Sequence, residues 1–496
     1  MQNSSKQRNI IFFHAESWDG RMLGMLGHPA LRDATPNINR LARDGMLFRN
    51  AYCTHPICCP SRANLWSGRY THNCESWNNF KGLESRMWSL LDELPKTHDT
   101  ATFGKLDYRS GGHTMQARLS AWLGAAGIDK PSYDFDTSQC FEVADNDNFR
   151  CHESDWHKID QSIEFLKNQK NGESDRPFFL YVSTGLVHAA FKTNQHWLDK
   201  IPADAVDIPP MDDCDHPAIR YQRMNKAWRY GFEDDVVREV RRIYFAMCAE
   251  ADAMVGEVYA AMHDLGLADD TYFVFSSDHG ELAMEHQQYY KMSLYEGSVR
   301  VPMAVTGPDI PAGGETDNLV STIDLTPTLI EMAGLDVGRE MDGESLMPLA
   351  TGRTADSRDE AYACFTGTSM NTSAFMLRRD NWKYIVYFGY PSQLFDVEAD
   401  PGELQNLSEE RPEVVRELDA RLREIVDYEQ THRDWQDYCR NAFREWRRQA
   451  KRGLYVDEAY ALAGNPSSDY WRIMDNAFTG FDEEDEKKVD AWLRQT

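Results

Sequence analysis

The chain has no apolar run near the roughly 20 residues that a membrane-spanning helix needs, so membrane insertion is excluded at the level of helices. Positive charge is scarce. Fifty-three Lys and Arg face 80 Asp and Glu, a formal charge of −27, which excludes a general basic surface and nucleic-acid binding through one. An anionic substrate must therefore meet a locally built positive pocket. Cysteine is also sparse, ten in 496 residues, too few for a disulfide-scaffolded fold of this length, and most are expected to be free thiols. No signal-like leader is expected, because Met1–Arg8 runs straight into a strand-like stretch. The expected location is cytoplasmic, or periplasmic or secreted if a leader has been removed. Internal repeats and low-complexity segments are absent, and the sequence assigns no oligomeric state.

With 42% hydrophobic and 12% aromatic residues, the composition is that of a globular protein able to bury a large core. Short β-branched and aromatic runs without alternation, at 9–13, 177–183 and 271–277, predict strands buried on both faces. Helical spacing runs from Glu233 to Leu265, and Thr326-Pro327 opens a helix that stops at Gly334. Alternating strands and helices predict an α/β fold with a large, mostly parallel sheet flanked by helices. A polar stretch at 351–358 marks an expected boundary between a catalytic domain, 1–355, and a smaller C-terminal α+β subdomain with a helical tail, 356–496. The latter should hold strands at 374–377 and 383–387 and a long charged helical stretch from Pro412 to about Arg448.

Ligands of open α/β sheets bind beyond the carboxyl ends of the strands. Here those ends are polar: Glu16 after the first run, Lys105 after Thr100–Gly104, His188 beyond the run 177–183, and Asp278-His279 after the run 271–277. One such residue alone means little, since chains surface at strand ends. The segment Cys58-Cys59-Pro60-Ser61-Arg62 through Gly68-Arg69 changes that weighting. Proline at a first helical position and a closing glycine bracket a short helix, with Cys58 just ahead of its N-terminus, where N–H groups and the dipole favour an anion.

This segment resembles the C-x-P-S-R signature of the formylglycine-dependent (type I) sulfatases, and only Cys58 puts Pro60 and Arg62 in register. Phe103-Gly104-Lys105, Ser277-Asp278-His279-Gly280-Glu281, Lys291-Met292-Ser293, Asp342-Gly343-Glu344 and Leu394-Phe395-Asp396 to Asn406-Leu407 are similar to further landmarks of that family. The resemblance implies an alkaline-phosphatase-like fold and a sulfuric ester hydrolase. Glu75–Leu83 and Asp278–His286 are similar to a glucuronate-2-sulfatase, which implies the 2-O-sulfate of a terminal uronic acid in a sulfated oligosaccharide. Such a substrate also carries a carboxylate, best gripped by a further arginine that the sequence does not identify. Because of the −27 charge, short oligosaccharides are expected to be favoured over long sulfated chains.

By the same resemblance, a maturing enzyme converts Cys58 to formylglycine, whose hydrate offers one hydroxyl to attack sulfur and a second that lets the aldehyde reform. Glu16, Asp278, His279 and residue 58 would hold a divalent metal. Arg62, Lys105 and Lys291 would supply fixed positive charge, and His188 or Lys291 would protonate the leaving oxygen. Three departures qualify the set. The usual Asp-Asp pair is Glu16-Ser17, with Asp19 as a replacement ligand if one exists. Asp278-His279 replaces the usual Asp-Asn, which brings Mn²⁺ into consideration beside the expected Ca²⁺. Asp107 stands where a histidine is usual, leaving Asp107 or His113 as the base for sulfate release. His286 is read as a supporting or substrate-contact residue rather than a ligand, and Trp435, Tyr438, Trp446, Tyr455, Tyr470 and Trp471 as packing residues. The rival readings are a phosphonate monoester or phosphodiester hydrolase on the same fold, and a non-catalytic glycan-binding relative.

Overall fold

A computed structural model describes residues 7–110, 122, 125, 141–172, 174–225, 231–353, 358–367, 370–452 and 483–495. His113, Tyr455, Tyr470 and Trp471 lie outside the described residues. The strands are β1 (Asn9–Ala15), β2 (Met46–Tyr52), β3 (Asp99–Gly104), β4 (Phe141–Ala144), β5 (Phe178–Ser183), β6 (Phe191–Asn194), β7 (Thr271–Ser277), β8 (Arg300–Thr306), β9 (Gly314–Ser321), β10 (Glu360–Phe365), β11 (Ala374–Arg379), β12 (Trp382–Tyr387) and β13 (Gln393–Asp396).

Seven of them form one sheet in the order β3-β5-β1-β7-β8-β2-β9. The runs expected to be buried on both faces are so: every residue of β5 and β7 is buried. β3, β5, β1 and β7 are mutually parallel and in register, with Gly104 and His14 both opposite Ser183, and Ala15 opposite Ser277. Their carboxyl ends therefore meet at one edge. β8 runs antiparallel to both β7 and β2, so β2 also points its carboxyl end to that edge. The helices Pro36–Arg43, Glu153–Lys170 and Asp234–Asp264 supply cover, and the last buries a continuous apolar stripe from Val237 to Met262.

Gly104 is required by close approach. Its φ of +102° suits glycine, and a Cβ there would lie 1.8 Å from the carbonyl oxygen of Ser183 on the neighbouring strand. The backbone turns there and delivers Lys105.

β10 to β13 form a four-stranded antiparallel sheet. The charged stretch after Pro412 is two helices, Pro412–Ile425 and Tyr428–Ala450. The break has a local cause: Val426 is extended, and the Asp427 carboxylate accepts from the backbone N–H of Gln430 at 2.8 Å, an N-cap for the second helix. Trp435 and Trp446 pack with Trp77, Trp122, Phe443 and Trp492, and so bind this helix to the body as expected. No helix among the described residues is long and apolar enough to cross a membrane.

Candidate active site

The chain leaving β2 reaches the helix Cys58–Ser67. That helix begins at Cys58 itself, with extended Ile57 as its N-cap, so Cys58 is the first helical residue rather than lying ahead of it. Pro60 is tolerated at the third position because first-turn N–H groups lack intrahelical acceptors in any case. Gly68, with φ 66°, closes the helix. The spacing of four puts Cys58 and Arg62 on one face, pointed at the polar strand ends.

Around Cys58 the predicted residues converge. Its sulfur lies 3.3 Å from Glu16 Oε1 and 3.4 Å from His279 Nε2. Glu16, Cys58, Asp278 and His279 each present a ligand atom within 4.8 Å of the others, and all four are buried. Arg62 is locked: Nε donates to Asp278 Oδ2 at 2.9 Å, and Nη1 donates to the Lys105 carbonyl, Tyr181 Oη and Ser183 Oγ at 2.7, 3.0 and 3.1 Å. Its Nη2 is buried without a hydrogen-bond partner among the described residues, a spare donor for an anion. Lys105 Nζ donates to Glu16 Oε1 and lies 3.5 Å from Asp107 Oδ2. The Asp278 carboxylate also accepts from the backbone N–H groups of Ser17 and His279, at 3.2 and 2.9 Å.

The charges set the protonation states. Burial would push the Cys58 thiol up, but the cations of Lys105 and Lys291 outweigh it and hold the thiol well below its usual range. Burial likewise opposes ionisation of Glu16 and Asp278. Lys105 and His188 overcome it for Glu16, and His279, Arg62 and Lys105 for Asp278, so both stay ionised well below the usual carboxylate range. His14 points the other way, since burial and Arg62 push it down to about 3 and leave it neutral. Its Nδ1 meets Tyr181 Oη at 2.8 Å. Two ionised carboxylates, an imidazole and an activatable side chain converging on one point fit a divalent cation. Asp19 is not part of that convergence, and its carboxylate pairs with Arg21 at 2.6 Å.

The two candidate proton donors form one unit: the Lys291 ammonium donates to His188 Nε2, and His188 Nδ1 donates to the Ala189 carbonyl. The loop carrying His188 is held from a distance, with Asp155 Oδ2 accepting from the N–H groups of Gly185 and Leu186, both at 2.9 Å. Tyr181, Ser183 and Asp155 were not picked out from the sequence. Ser183, which ends β5, was open to the strand-end rule, whereas Asp155 reads as an ordinary acidic residue of a first helical turn. His286 plays a supporting part: its ring stacks on Tyr295 at 3.7 Å and its Nδ1 meets Asp212 at 2.7 Å.

Comparison with known proteins adds sequence likeness to this geometry. A family model described as Sulfatase matches residues 8–335, and one described as N-sulphoglucosamine sulphohydrolase, C-terminal, matches residues 284–428. Arylsulfatase K of Homo sapiens is 35% identical over 525 residues, covering 99% of this chain and 94% of the relative. Among solved structures, the phosphonate monoester hydrolase of Agrobacterium radiobacter is 23% identical with a TM-score of 0.69, over 84% of this chain and 95% of that one. A structure described as a 2-O GAG sulfatase is 22% identical with a TM-score of 0.66, over 87% and 94%. These two likenesses establish the fold.

Proposed function

Since the chain belongs to the sulfatase family and is a sulfuric ester hydrolase, we propose that it removes the 2-O-sulfate of a terminal glucuronate from a sulfated oligosaccharide, using a formylglycine made from Cys58 by a maturing enzyme. The observation that carries this reading is the Cys58 side chain among Glu16, His279, Lys105 and Lys291, with Arg62 fixed one helical turn away. The uronate assignment draws on the similar runs Glu75–Leu83 and Asp278–His286.

When formed and hydrated, formylglycine supplies two geminal hydroxyls, one to attack sulfur and one whose deprotonation expels sulfate. Glu16, Asp278, His279 and residue 58 would hold a divalent cation, calcium first and manganese second, which would supply positive charge for the sulfuryl oxygens. The side chains of this chain do the rest. Lys105 and Lys291 flank residue 58 and stabilise negative charge there, as their hold on the thiol indicates. Arg62 adds a guanidinium that cannot swing away, because Asp278 and three oxygen acceptors pin it. Such preorganised charge acts without reorganisation as the transition state forms. The Lys291–His188 pair delivers a proton to the departing sugar oxygen. Asp107, beside Lys105, is the described candidate for the base of the second step.

The test compares a disaccharide with 2-O-sulfoglucuronate at its non-reducing end with iduronate and 6-O-sulfoglucosamine counterparts and with an aryl phosphonate. The glucuronate should be hydrolysed fastest, by a preparation whose Cys58 peptide carries the aldehyde by mass spectrometry. Equal or faster cleavage of the glucosamine sulfate removes the substrate assignment. Full turnover by Cys58→Ala removes the mechanism.

A further inference from the structure

A second convergence of ligand-type side chains lies outside the Cys58 site and shares no residue with it. Glu250 projects from the helix Asp234–Asp264 and is fully buried. Its Oε1 accepts from the His152 backbone N–H and from Trp156 Nε1, both at 2.9 Å, which fixes the carboxylate plane. Oε2 is thereby presented to the His152 imidazole, 2.7 Å from Nδ1. Cys151, half-buried and a free thiol, precedes it. Thiol, imidazole and carboxylate each offer a ligand atom within 4.8 Å of the others.

The corner that carries Cys151 and His152 is rigid. The His152 carbonyl accepts from the N–H groups of Asp155 and Trp156 at 2.9 and 3.1 Å, and Arg150 grips Asp160 with two bonds of 2.7 and 3.0 Å. A buried, pre-oriented carboxylate with a partly exposed thiol and imidazole leaves solvent as the entry route. Sulfur and nitrogen donors beside one oxygen suit a thiophilic ion and disfavour calcium or magnesium.

We propose that Cys151, His152 and Glu250 form a second cation site for a divalent ion of the zinc class, with water completing the coordination. The ion ties the start of the helix Glu153–Lys170 to the helix Asp234–Asp264. Asp155, in the first turn of the former, holds the loop bearing His188, so the site braces the active-site edge without touching substrate.

The experiment uses full-length Cys58→Ser protein, freed of metal by a chelator and titrated with Co²⁺. The serine removes the other thiolate that lies in a ligand cluster. A thiolate-to-cobalt charge-transfer band should grow in and be bleached by Zn²⁺, and Cys58→Ser/Cys151→Ser should lose it. Glu250→Gln should weaken cobalt binding by roughly 10- to 100-fold. In the same Cys58→Ser protein, Zn²⁺ should protect Cys151 from alkylation, as read by peptide mass spectrometry, so the outcome does not depend on the double variant folding. Absence of the band, its persistence without Cys151, or equal alkylation with and without Zn²⁺ would each overturn the proposal.

Discussion

Lys105→Met removes one cation from the site while keeping an apolar side chain of similar length. In the unconverted, metal-free protein, the Lys105 ammonium and the Cys58 sulfur both contact the same Glu16 oxygen. The two are thus at most about 6 Å apart, and at an effective dielectric near 20 a charge pair at that distance is worth about 3 kcal/mol, or about two pKa units. The cation stabilises the thiolate, so its removal must raise the Cys58 pKa, and the titration midpoint should move up by about two units. If Glu16 takes up a proton in response, its repulsion of the thiolate goes too, which shrinks the shift without changing its sign. Thiolate ultraviolet absorbance measures this, read as a difference against Cys58→Ser. The other buried thiols do not interfere near neutral pH, because burial pushes Cys53, Cys59, Cys74, Cys248, Cys364 and Cys439 above the usual range. On the proposed mechanism the same ammonium would face the sulfuryl group in converted enzyme, and its loss should lower kcat/KM by roughly 10²- to 10³-fold, the effect of removing one preorganised donor. An unchanged or lowered midpoint would refute the electrostatic reasoning, whatever the variant does to turnover.

Asp278→Asn should lose bound metal by elemental analysis, and chelation of the wild type should abolish turnover. Because Arg62 then keeps its buried charge without a partner, the melting temperature should also drop, in line with the ~3–5 kcal/mol lost when a buried pair is broken. Retained metal with full activity contradicts this. His188→Ala should slow a sugar sulfate, whose alkoxide leaves poorly, far more than an activated aryl sulfate; equal losses on both exclude proton donation. Lys383 is fully buried between Glu296 and Glu403, at 3.1 and 2.8 Å, and joins the C-terminal sheet to the main body. Lys383→Met should destabilise by about 3–5 kcal/mol, seen as faster limited proteolysis, and an unchanged cleavage rate argues against the pairing. Burial opposes the charge on Glu296, but Lys383 holds its carboxyl down to about 2. Its contribution is therefore present above the ordinary carboxylate range and lost as pH falls toward 2, a loss the variant should show in reduced form, since Arg300 still faces Glu296 at 3.6 Å.

What could be read in advance follows the range of the forces involved. β1, β5 and β7 were legible because burial on both faces writes itself as an unbroken apolar run. β9, Gly314–Ser321, was not, since its first half is polar and only Leu319 to Ser321 are buried. The Cys58–Arg62 spacing was legible because helical geometry alone puts residues four apart on one face. The start of that helix was misplaced by its proline, whose preference for the first position yields where the N–H is unpaired anyway. Other features depend on partners far along the chain. Glu16 directly follows β1 and is legible as a site residue on that ground, but nothing local says whether Asp19 joins it. The fold decides, because Lys105 reaches Glu16, while Arg21 takes Asp19 together with Glu285, 264 residues beyond it. Asp212, 74 positions away, ties His286 into the framework, and Lys291 finds His188 across 103. Backbone propensity and burial act over a few residues and leave their mark in the sequence. Charge pairing acts between whatever groups the sheet brings together, so only the tertiary structure could settle which of the carboxylates, imidazoles and cations legible at those strand ends pair with one another.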